Sequence, residues 1–291
     1  RILVTGGAGY IGSMLCTYLV KEGFNVTVID KFDFSRDSLN HLRFHNNFDL
    51  IEGDITSIKV LKKHIKNKDF IIPLAALVGA PLCDKFPKRT VQVNVNSIKK
   101  IMKLIKKKQK IIYLTTNSGY GIGDKDKFCD ESSPLRPVSL YGRTKNTSEK
   151  IVSSHPNYIC YRLATVFGYS YRMRTDLLVN NFVLRALNEK KIKLFEPHFR
   201  RNFIHIRDVV LSIIFSIKNF KKLKNNVYNL GLSSANITKL ELAKKIKKYT
   251  GRLKILVEEN KKDPDQRDYF VSNKKIEKKG FKAKISLEDG I

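Results

Sequence analysis

Two residues four positions apart near the middle of the chain, Tyr141 and Lys145, could together move a proton. At this spacing both side chains lie on one face of a helix. A lysine ammonium beside a phenol favours the phenolate and lowers the pKa of the tyrosine from about 10. The phenol could then take a proton from an alcohol as a general base. Thr116, at the end of an earlier apolar run, offers a hydroxyl that can bond the same oxygen and relay the proton.

A glycine-rich turn near the start of the chain predicts a dinucleotide site. The apolar run Ile2–Thr5 is followed by glycines at positions 6, 9 and 12. Gly6 turns the chain tightly, Gly9 lets the backbone approach a pyrophosphate, and Gly12 lets the next helix pack close to its strand. The N-terminus of that helix presents free N–H groups to the phosphates. A nicotinamide held there could accept a hydride from the alcohol that Tyr141 deprotonates.

The end of the next apolar run favours NAD as the dinucleotide. Asp30 follows the glycines at the separation at which an acidic residue accepts hydrogen bonds from the adenosine ribose. A carboxylate there would repel the 2′-phosphate of NADP. Lys31 comes next and weakens that discrimination.

The charge of the chain is strongly positive. The chain has 56 lysines and arginines and 27 acidic residues, which gives a formal net charge of +29. Such a balance raises nucleic acid as a partner. However, many lysines occupy the polar face of helical patterns such as residues 98–106, and no nucleic-acid-binding motif accompanies them. We therefore expect no specific nucleic-acid binding, and a surface that attracts an anionic sugar nucleotide.

Cysteines and apolar runs indicate a chain without metal, disulfide or membrane span. The four cysteines lack the spacing of metal ligands or of a disulfide scaffold. No apolar run approaches the roughly 18 residues of a transmembrane helix, and no leader precedes the first strand. The sequence therefore predicts free thiols and a soluble, cytoplasmic protein.

Apolar runs of strand length alternate with helical patterns in the first half of the chain. This alternation predicts an α/β fold with a doubly wound parallel sheet of the Rossmann type. Ligands of such sheets bind beyond the carboxyl ends of the strands, which is where the informative residues occur. The predicted strands are residues 2–5, 25–29, 48–52, 70–74, 111–115 and 158–163.

The second half of the chain predicts a smaller, interleaved lobe that closes over a substrate. Regular alternation lapses near Val166, and helical patterns return at residues 178–189 and 238–251. We expect residues 1–165 to form the dinucleotide-binding domain, with 204–230 packing back onto it. Residues 166–203 and 231–291 would form the substrate lobe.

Together these motifs resemble the extended short-chain dehydrogenase/reductases that act on nucleotide sugars, over essentially the whole chain. The resemblance implies that Thr116, Tyr141 and Lys145 are catalytic. It also implies a homodimer formed through helices near residues 94–107 and 141–153. The implied cofactor-binding residues are Gly6, Gly9, Tyr10, Ile11, Gly12, Asp30, Lys31, Asp54, Ile55, Leu74, Ala75, Ala76, Asn94, Tyr141, Lys145 and Ala164. The implied substrate-binding residues are Val78, Asn117, Ser118, Thr165, Asn180, Asn181, Arg201 and Arg267, with the two arginines clamping the nucleotide diphosphate.

The residues after Thr116 restrict the reaction that follows oxidation. Members of the family that expel the C6 hydroxyl as water carry an aspartate and a glutamate there, and decarboxylases carry the glutamate. This chain has Asn117 and Ser118, neither of which is an acid or base near neutral pH. A 4-epimerase, a reductase, and a dehydrogenase that stops at the ketone remain as alternatives.

Longer stretches resemble the enzymes of bacterial capsule biosynthesis that oxidise C4 of GDP-D-glycero-α-D-manno-heptose with NAD. The base and the sugar are implied by this resemblance alone. A rival of another class is a non-catalytic nucleotide-binding or RNA-associated module, although such proteins usually lack one of the three catalytic residues. The stretches are residues 73–83, 116–123, 231–236 and 263–269.

Overall fold

The computed structural model describes residues 1–124, 127–258 and 267–291. Parallel strands form the main sheet, which has seven members in the described residues. They are β1 (Ile2–Thr5), β2 (Val26–Asp30), β3 (Phe48–Glu52), β4 (Phe70–Pro73), β5 (Lys110–Thr116), β7 (Tyr158–Leu163) and β11 (Asn226–Leu230). Their order across the sheet is β11-β7-β5-β4-β1-β2-β3. The order reverses between β1 and β4, which is where ligands of such sheets bind.

Apolar side chains on both faces of the strands explain why the sheet is buried on both sides. In β5, Ile112 and Leu114 belong to one apolar core, whereas Ile111 and Tyr113 belong to the core on the opposite side. Successive strand residues point to opposite faces, so near-continuous apolar runs suit a sheet covered twice. This confirms the doubly wound parallel sheet predicted from the sequence.

Helices cover the two faces of the sheet. Helix α1 (Tyr10–Lys21) packs against α8 (Ile206–Lys218) on one side, and α5 (Ser97–Leu104) packs against α6 (Leu140–Val152) on the other. In the described residues the remaining α-helices are α2 (Ile58–Ile65), α3 (Ala80–Lys85), α4 (Pro87–Val91), α7 (Leu178–Asn188), α9 (Phe220–Leu223), α10 (Lys239–Thr250), α11 (Lys274–Lys278) and α12 (Leu287–Gly290). Between α4 and α5 the helix continues through a π-helical turn at Gln92–Asn96.

Small sheets build the second half of the chain. Strand β10 (Arg200–His205) pairs in parallel with β8 (Thr165–Phe167) and antiparallel with β12 (Asn236–Thr238). Strand β13 (Lys254–Val257) pairs with β9 (Lys191–Leu194), and β14 (Phe270–Val271) pairs with β6 (Phe128–Cys129). The pairing of β14 with β6 brings residues 270–271 beside the segment that follows β5.

Several element boundaries differ from the predicted ones for local reasons. Asp30 and Thr116 are the last residues of β2 and β5, so both lie in the sheet itself. The helix expected over 94–107 ends at Leu104, and extended backbone follows it. Helix α10 begins after Thr238, whose hydroxyl accepts from the N–H of Glu241 in a capping box.

The division into two lobes stays a prediction. Residues 204–230 contribute α8 and β11 to the layers around the main sheet. Within the described residues no helix is long and apolar enough to cross a membrane.

Candidate active site

Two glycines of the turn between β1 and α1, Gly6 and Gly12, have no room for a side chain. Gly6 has φ +74°, and a Cβ there would lie 2.5 Å from the amide N of Ala75. A Cβ on Gly12 would lie 2.3 Å from the carbonyl O of Gly6. The backbone of this turn and the N-terminus of α1 therefore face the cavity directly. Such a cradle fits the diphosphate of a dinucleotide.

Asp30 is oriented by the same turn. Its carboxylate accepts hydrogen bonds from the N–H groups of Ala8 (2.9 Å) and Phe32 (2.8 Å). Burial raises the pKa of Asp30, and these two backbone bonds oppose that rise. The ammonium of Lys31 lies 3.6 Å from Asp54 and 3.7 Å from Asp33. These ion pairs weaken the attraction of Lys31 for the 2′-phosphate of NADP, although Asp33 also pairs with Arg89.

A cavity of about 500 Å³ extends from the glycine turn to α6. It joins residues from the ends of β1, β4, β5 and β7, as expected for a ligand site in such a sheet. Candidate residues from both the cofactor and the substrate sets line it. They are Gly6, Gly9, Tyr10, Ile11, Gly12, Leu74, Ala76, Val78, Thr116, Ser118, Tyr141, Lys145, Ala164, Thr165 and Arg267.

The three candidate catalytic residues line this cavity together. Helix α6, which carries Tyr141 and Lys145, begins after Ser139, whose hydroxyl accepts from the N–H of Gly142 at 3.2 Å. Thr116 lies at the end of β5, with its Oγ1 donating to Ser118 Oγ at 3.0 Å. Two separate elements therefore bring the phenol, the ammonium and the hydroxyl to one wall.

Lys145 is buried although it carries an ionisable amine. Its side chain is 6% exposed, and Nζ lies 4.2 Å from the centre of the Tyr113 ring. Burial lowers the pKa of Lys145 from 10.5 to about 7, and Cys160 and Glu149 oppose this change. The amine is therefore half protonated near neutral pH in the ligand-free protein.

An ion pair beneath α6 was not among the predicted site residues. Arg162 of β7 donates to Glu149 of α6 at 2.7 Å and to the hydroxyl of Tyr120 at 3.0 Å. Arg162 and Glu149 are both buried. The pair fixes α6, which carries Tyr141 and Lys145, to strand β7 of the sheet.

Other candidate residues lie outside the cavity wall. Ile55 is part of the core between α2 and α5, and Asp54 pairs with Lys31. Ala75 packs behind Gly6. Asn94, in the π-helical turn, bonds both the N–H and the carbonyl of Leu77.

The remaining substrate candidates are also outside the wall. Asn117 is 1% exposed and Arg201 is 2% exposed. Asn180 accepts from the N–H of Gly168 and donates to the carbonyl of Arg174, and Asn181 donates to the carbonyl of Thr175. The amides of Asn180 and Asn181 therefore hold backbone segments in this form of the protein.

The loop that follows β5 contacts the C-terminal part of the chain. Arg267 donates to Ser118 Oγ at 2.6 Å, and Gly123 donates its N–H to the carbonyl of Asp268. Asp268 in turn pairs with Arg200 at 2.9 Å. Of the stretch 263–269 noted in the sequence, residues 263–266 lie outside the described residues.

Two further arginines line the cavity and were missed by sequence reasoning. Arg172 and Arg174 come from the segment between β8 and α7. Neither belongs to a recognisable motif. Only the folding of that segment against α1 brings them to the site.

Comparisons with known proteins place this site in a family. Residues 2–231 match the model of the NAD dependent epimerase/dehydratase family. A dTDP-D-glucose 4,6-dehydratase of Dictyostelium discoideum is 30% identical over 84% of this chain, which spans 61% of that protein's length. UDP-glucuronic acid decarboxylase 6 of Arabidopsis thaliana is 29% identical over 100% of this chain and 86% of its own.

Among solved structures, the UDP-glucuronic acid 4-epimerase of Bacillus cereus, in complex with UDP-glucuronic acid and NAD, is 25% identical. It superposes with a TM-score of 0.87 over 99% of this chain and 96% of its own. Cavity, glycine turn and family match agree on NAD as the cofactor. The chain belongs to the NAD-dependent epimerase/dehydratase family.

Proposed function

We propose that this protein oxidises the C4 hydroxyl of a nucleotide-linked sugar to the ketone, with NAD as the hydride acceptor. One observation carries the proposal: Thr116, Tyr141 and Lys145 line the same cavity as the glycine turn. An alcohol oxidation needs a base for the hydroxyl proton and an acceptor for the hydride. The cavity wall and the family's cofactor supply both.

The roles of the side chains follow from their chemistry. Tyr141 takes the C4 hydroxyl proton as a general base. Thr116 binds the same oxygen through its hydroxyl. Lys145, when protonated, stabilises the phenolate of Tyr141 and can donate to hydroxyls of the cofactor ribose. NAD, when bound at the glycine turn, accepts the hydride from C4.

The charges of the cavity wall argue against dehydration. Loss of water from C6 requires an acid and a base beside the catalytic threonine. The corresponding residues here are Asn117 and Ser118, and Ser118 Oγ accepts from both Thr116 and Arg267. Within the described part of the chain, Asp176 is the one carboxylate of the cavity wall, and it pairs with Arg174. The relatives named as a dehydratase and a decarboxylase therefore suggest the first oxidation step but not the later steps.

We propose GDP-D-glycero-α-D-manno-heptose as the substrate and capsule biosynthesis as the setting. The support is the resemblance of residues 73–83, 116–123 and 231–236 to enzymes of that type. A UDP- or GDP-sugar 4-epimerase is the second candidate, because two solved 4-epimerases, of Bacillus cereus and Thermotoga maritima, superpose with TM-scores of 0.87 and 0.86.

A sugar carrying deuterium at C4 separates these reactions. Oxidation that stops at the ketone delivers the label to released NADH. An epimerase returns the label to C4 of the inverted alcohol with no net NADH. A dehydratase moves it to the C6 methyl group. Product NMR with GDP-heptose, UDP-glucose and dTDP-glucose, together with absorbance at the NADH band, distinguishes the three outcomes.

The variant Tyr141→Phe tests the base. It should abolish NADH formation while NAD remains bound. Tyr249→Phe, at a tyrosine that is 60% exposed on α10, is the matched control and should turn over normally. Unchanged turnover of Tyr141→Phe would falsify the assignment.

A homodimer through α5 and α6 is also part of the proposal. The exposed side chains of those helices include Lys99, Lys103, Arg143 and Lys150. Two copies pairing there would bring like charges together, which salt screens. The dimer should therefore strengthen as ionic strength rises, which sedimentation at two salt concentrations can measure.

A further inference from the structure

The segment between β8 and α7 is tied to the first turn of α1. Tyr10 donates its hydroxyl to the carbonyl of Gly168 at 2.6 Å. Ser170 Oγ donates to the carbonyl of Tyr10 at 2.6 Å and lies 3.0 Å from Ser13 Oγ. Ser13 also accepts from the N–H of Arg172 at 3.4 Å. These bonds, most of them buried, hold residues 168–172 against the helix whose N-terminus faces the cavity.

A second set of bonds holds the following residues. Asn180 accepts from the N–H of Gly168 at 3.0 Å and donates to the carbonyl of Arg174 at 2.9 Å. It also donates to the hydroxyl of Tyr10 at 3.4 Å. The backbone of Arg174 is therefore anchored to the same turn of α1 as that of Arg172. Both guanidinium groups are placed by a rigid frame, as a binding site requires.

The two guanidinium groups create a positive end of the cavity. Arg172 lies over the ring of Phe34 at 4.6 Å from its centre. Burial lowers the pKa of Arg172, and the charge of Arg174 lowers it further. One carboxylate, Asp176, pairs with Arg174, and its side chain is 66% exposed. Together with the N-terminal dipole of α1, this end of the cavity favours a doubly charged anion.

We propose that Arg172 and Arg174 bind a diphosphate opposite the glycine turn, and that this diphosphate belongs to the dinucleotide cofactor. The position of Arg172 supports the assignment. Arg172 lies over Phe34, in the segment that follows β2, and the last residue of β2 is Asp30, the expected partner of the adenosine ribose of the cofactor. The third arginine of the wall, Arg267, instead donates to Ser118 in the loop that follows β5. Arg172 and Arg174 thus serve one part of the cavity, and Arg267 serves another.

The proposal gives the C-terminal half of the chain a part in cofactor binding. The segment that carries both arginines leads into α7, which packs against α10. Binding of the diphosphate by the two arginines would then connect that half of the chain to the glycine turn. The family's glycine turn alone implies no such contact.

Binding measurements on the ligand-free protein test this without turnover. Arg172→Met and Arg174→Met keep the apolar stem and remove the charge. Each variant should lower the affinity for NAD and for ADP-ribose by about tenfold or more, as expected for the loss of a hydrogen bond to a charged group. Adenosine, which has no phosphate, should bind unchanged. Arg185→Met, at an exposed arginine of α7 paired with Glu189, is the matched control and should bind like the wild type.

The other outcomes overturn the proposal. Unchanged NAD affinity in both variants would remove the arginines from the cofactor site. Weakened GDP binding with unchanged NAD affinity would assign the diphosphate to the sugar nucleotide. Equal loss of adenosine binding would indicate a general collapse of the loop. If a methionine variant fails to fold, Arg172→Lys serves instead: it keeps the charge but not the fork, and should weaken NAD less and retain its salt dependence.

Discussion

Removing the amine of Lys145 should stabilise the ligand-free protein while it abolishes turnover. Burial places the pKa of this lysine at about 7 rather than 10.5. The difference corresponds to a penalty of about 5 kcal/mol for the protonated amine in the folded state. Methionine has a similar length and no charge. The variant Lys145→Met gives up the contact with the Tyr113 ring, worth about 1 to 2 kcal/mol. We therefore expect a net gain of about 3 kcal/mol at pH 6.5.

The pH dependence of this gain identifies its cause. Below pH 7 the lysine is protonated in both states, so the wild type bears the whole penalty. Between pH 7 and 10.5 the unfolded chain binds more protons than the folded one. The free energy of unfolding of the wild type therefore rises with pH, by about 1.4 kcal/mol per unit from this group alone. The advantage of Lys145→Met should shrink by about 2 to 3 kcal/mol from pH 7.5 to 9.5.

Urea unfolding of NAD-free protein measures this difference. The chain has no tryptophan, so far-ultraviolet circular dichroism is the signal. Lys150→Met, at an exposed lysine of the same helix, is the control, and its stability difference should stay flat with pH. A Lys145→Met advantage that does not vary with pH, or a variant less stable than the wild type at pH 6.5, would refute the reasoning.

Three other substitutions test neighbouring parts of the site. Glu149→Gln leaves the guanidinium of Arg162 buried without its counter-charge and should lower the free energy of unfolding by about 3 to 5 kcal/mol. A loss below about 1 kcal/mol in urea titrations would contradict the role of this ion pair in fixing α6. Gly12→Ala places a Cβ 2.3 Å from the Gly6 carbonyl and should weaken NAD at least about tenfold in calorimetry, whereas wild-type affinity would mean that the turn can open. Asp30→Asn removes the carboxylate that repels a 2′-phosphate, so the ratio of NADP to NAD affinity should rise about tenfold, and an unchanged ratio would assign cofactor choice elsewhere.

The fold could be predicted because its signals are local. Each strand of the main sheet is a short apolar run followed by a turn or a helical pattern, and such runs identify buried parallel strands. The glycine turn and the pair Tyr141 and Lys145 are equally local, because spacing along the chain determines which face each residue occupies. The boundaries were less accurate, since Asp30 and Thr116 belong to the strands that they were expected to follow.

The roles of polar residues outside these motifs could not be derived from their types. Asn94 and Asn180 were predicted to contact ligands, and in the structure their amides bond the backbone of neighbouring loops. A buried amide needs partners in either case, so the sequence does not distinguish the two roles. Arg172 and Arg174 carry no motif, and they reach the cavity only because hydrogen bonds join positions about 160 apart in the chain.

Helix α6 combines two of the candidate catalytic groups with the ion pair that holds the helix. Tyr141, Lys145 and Glu149 follow one another at intervals of four, so they form one stripe along the helix. The first two line the cavity, and the third pairs with Arg162 beneath it. The carboxylate of Glu149 also opposes the lowering of the Lys145 pKa by burial. Under the proposed function, Glu149 would support the reaction in two ways, by fixing the helix through Arg162 and by opposing the loss of the proton from Lys145.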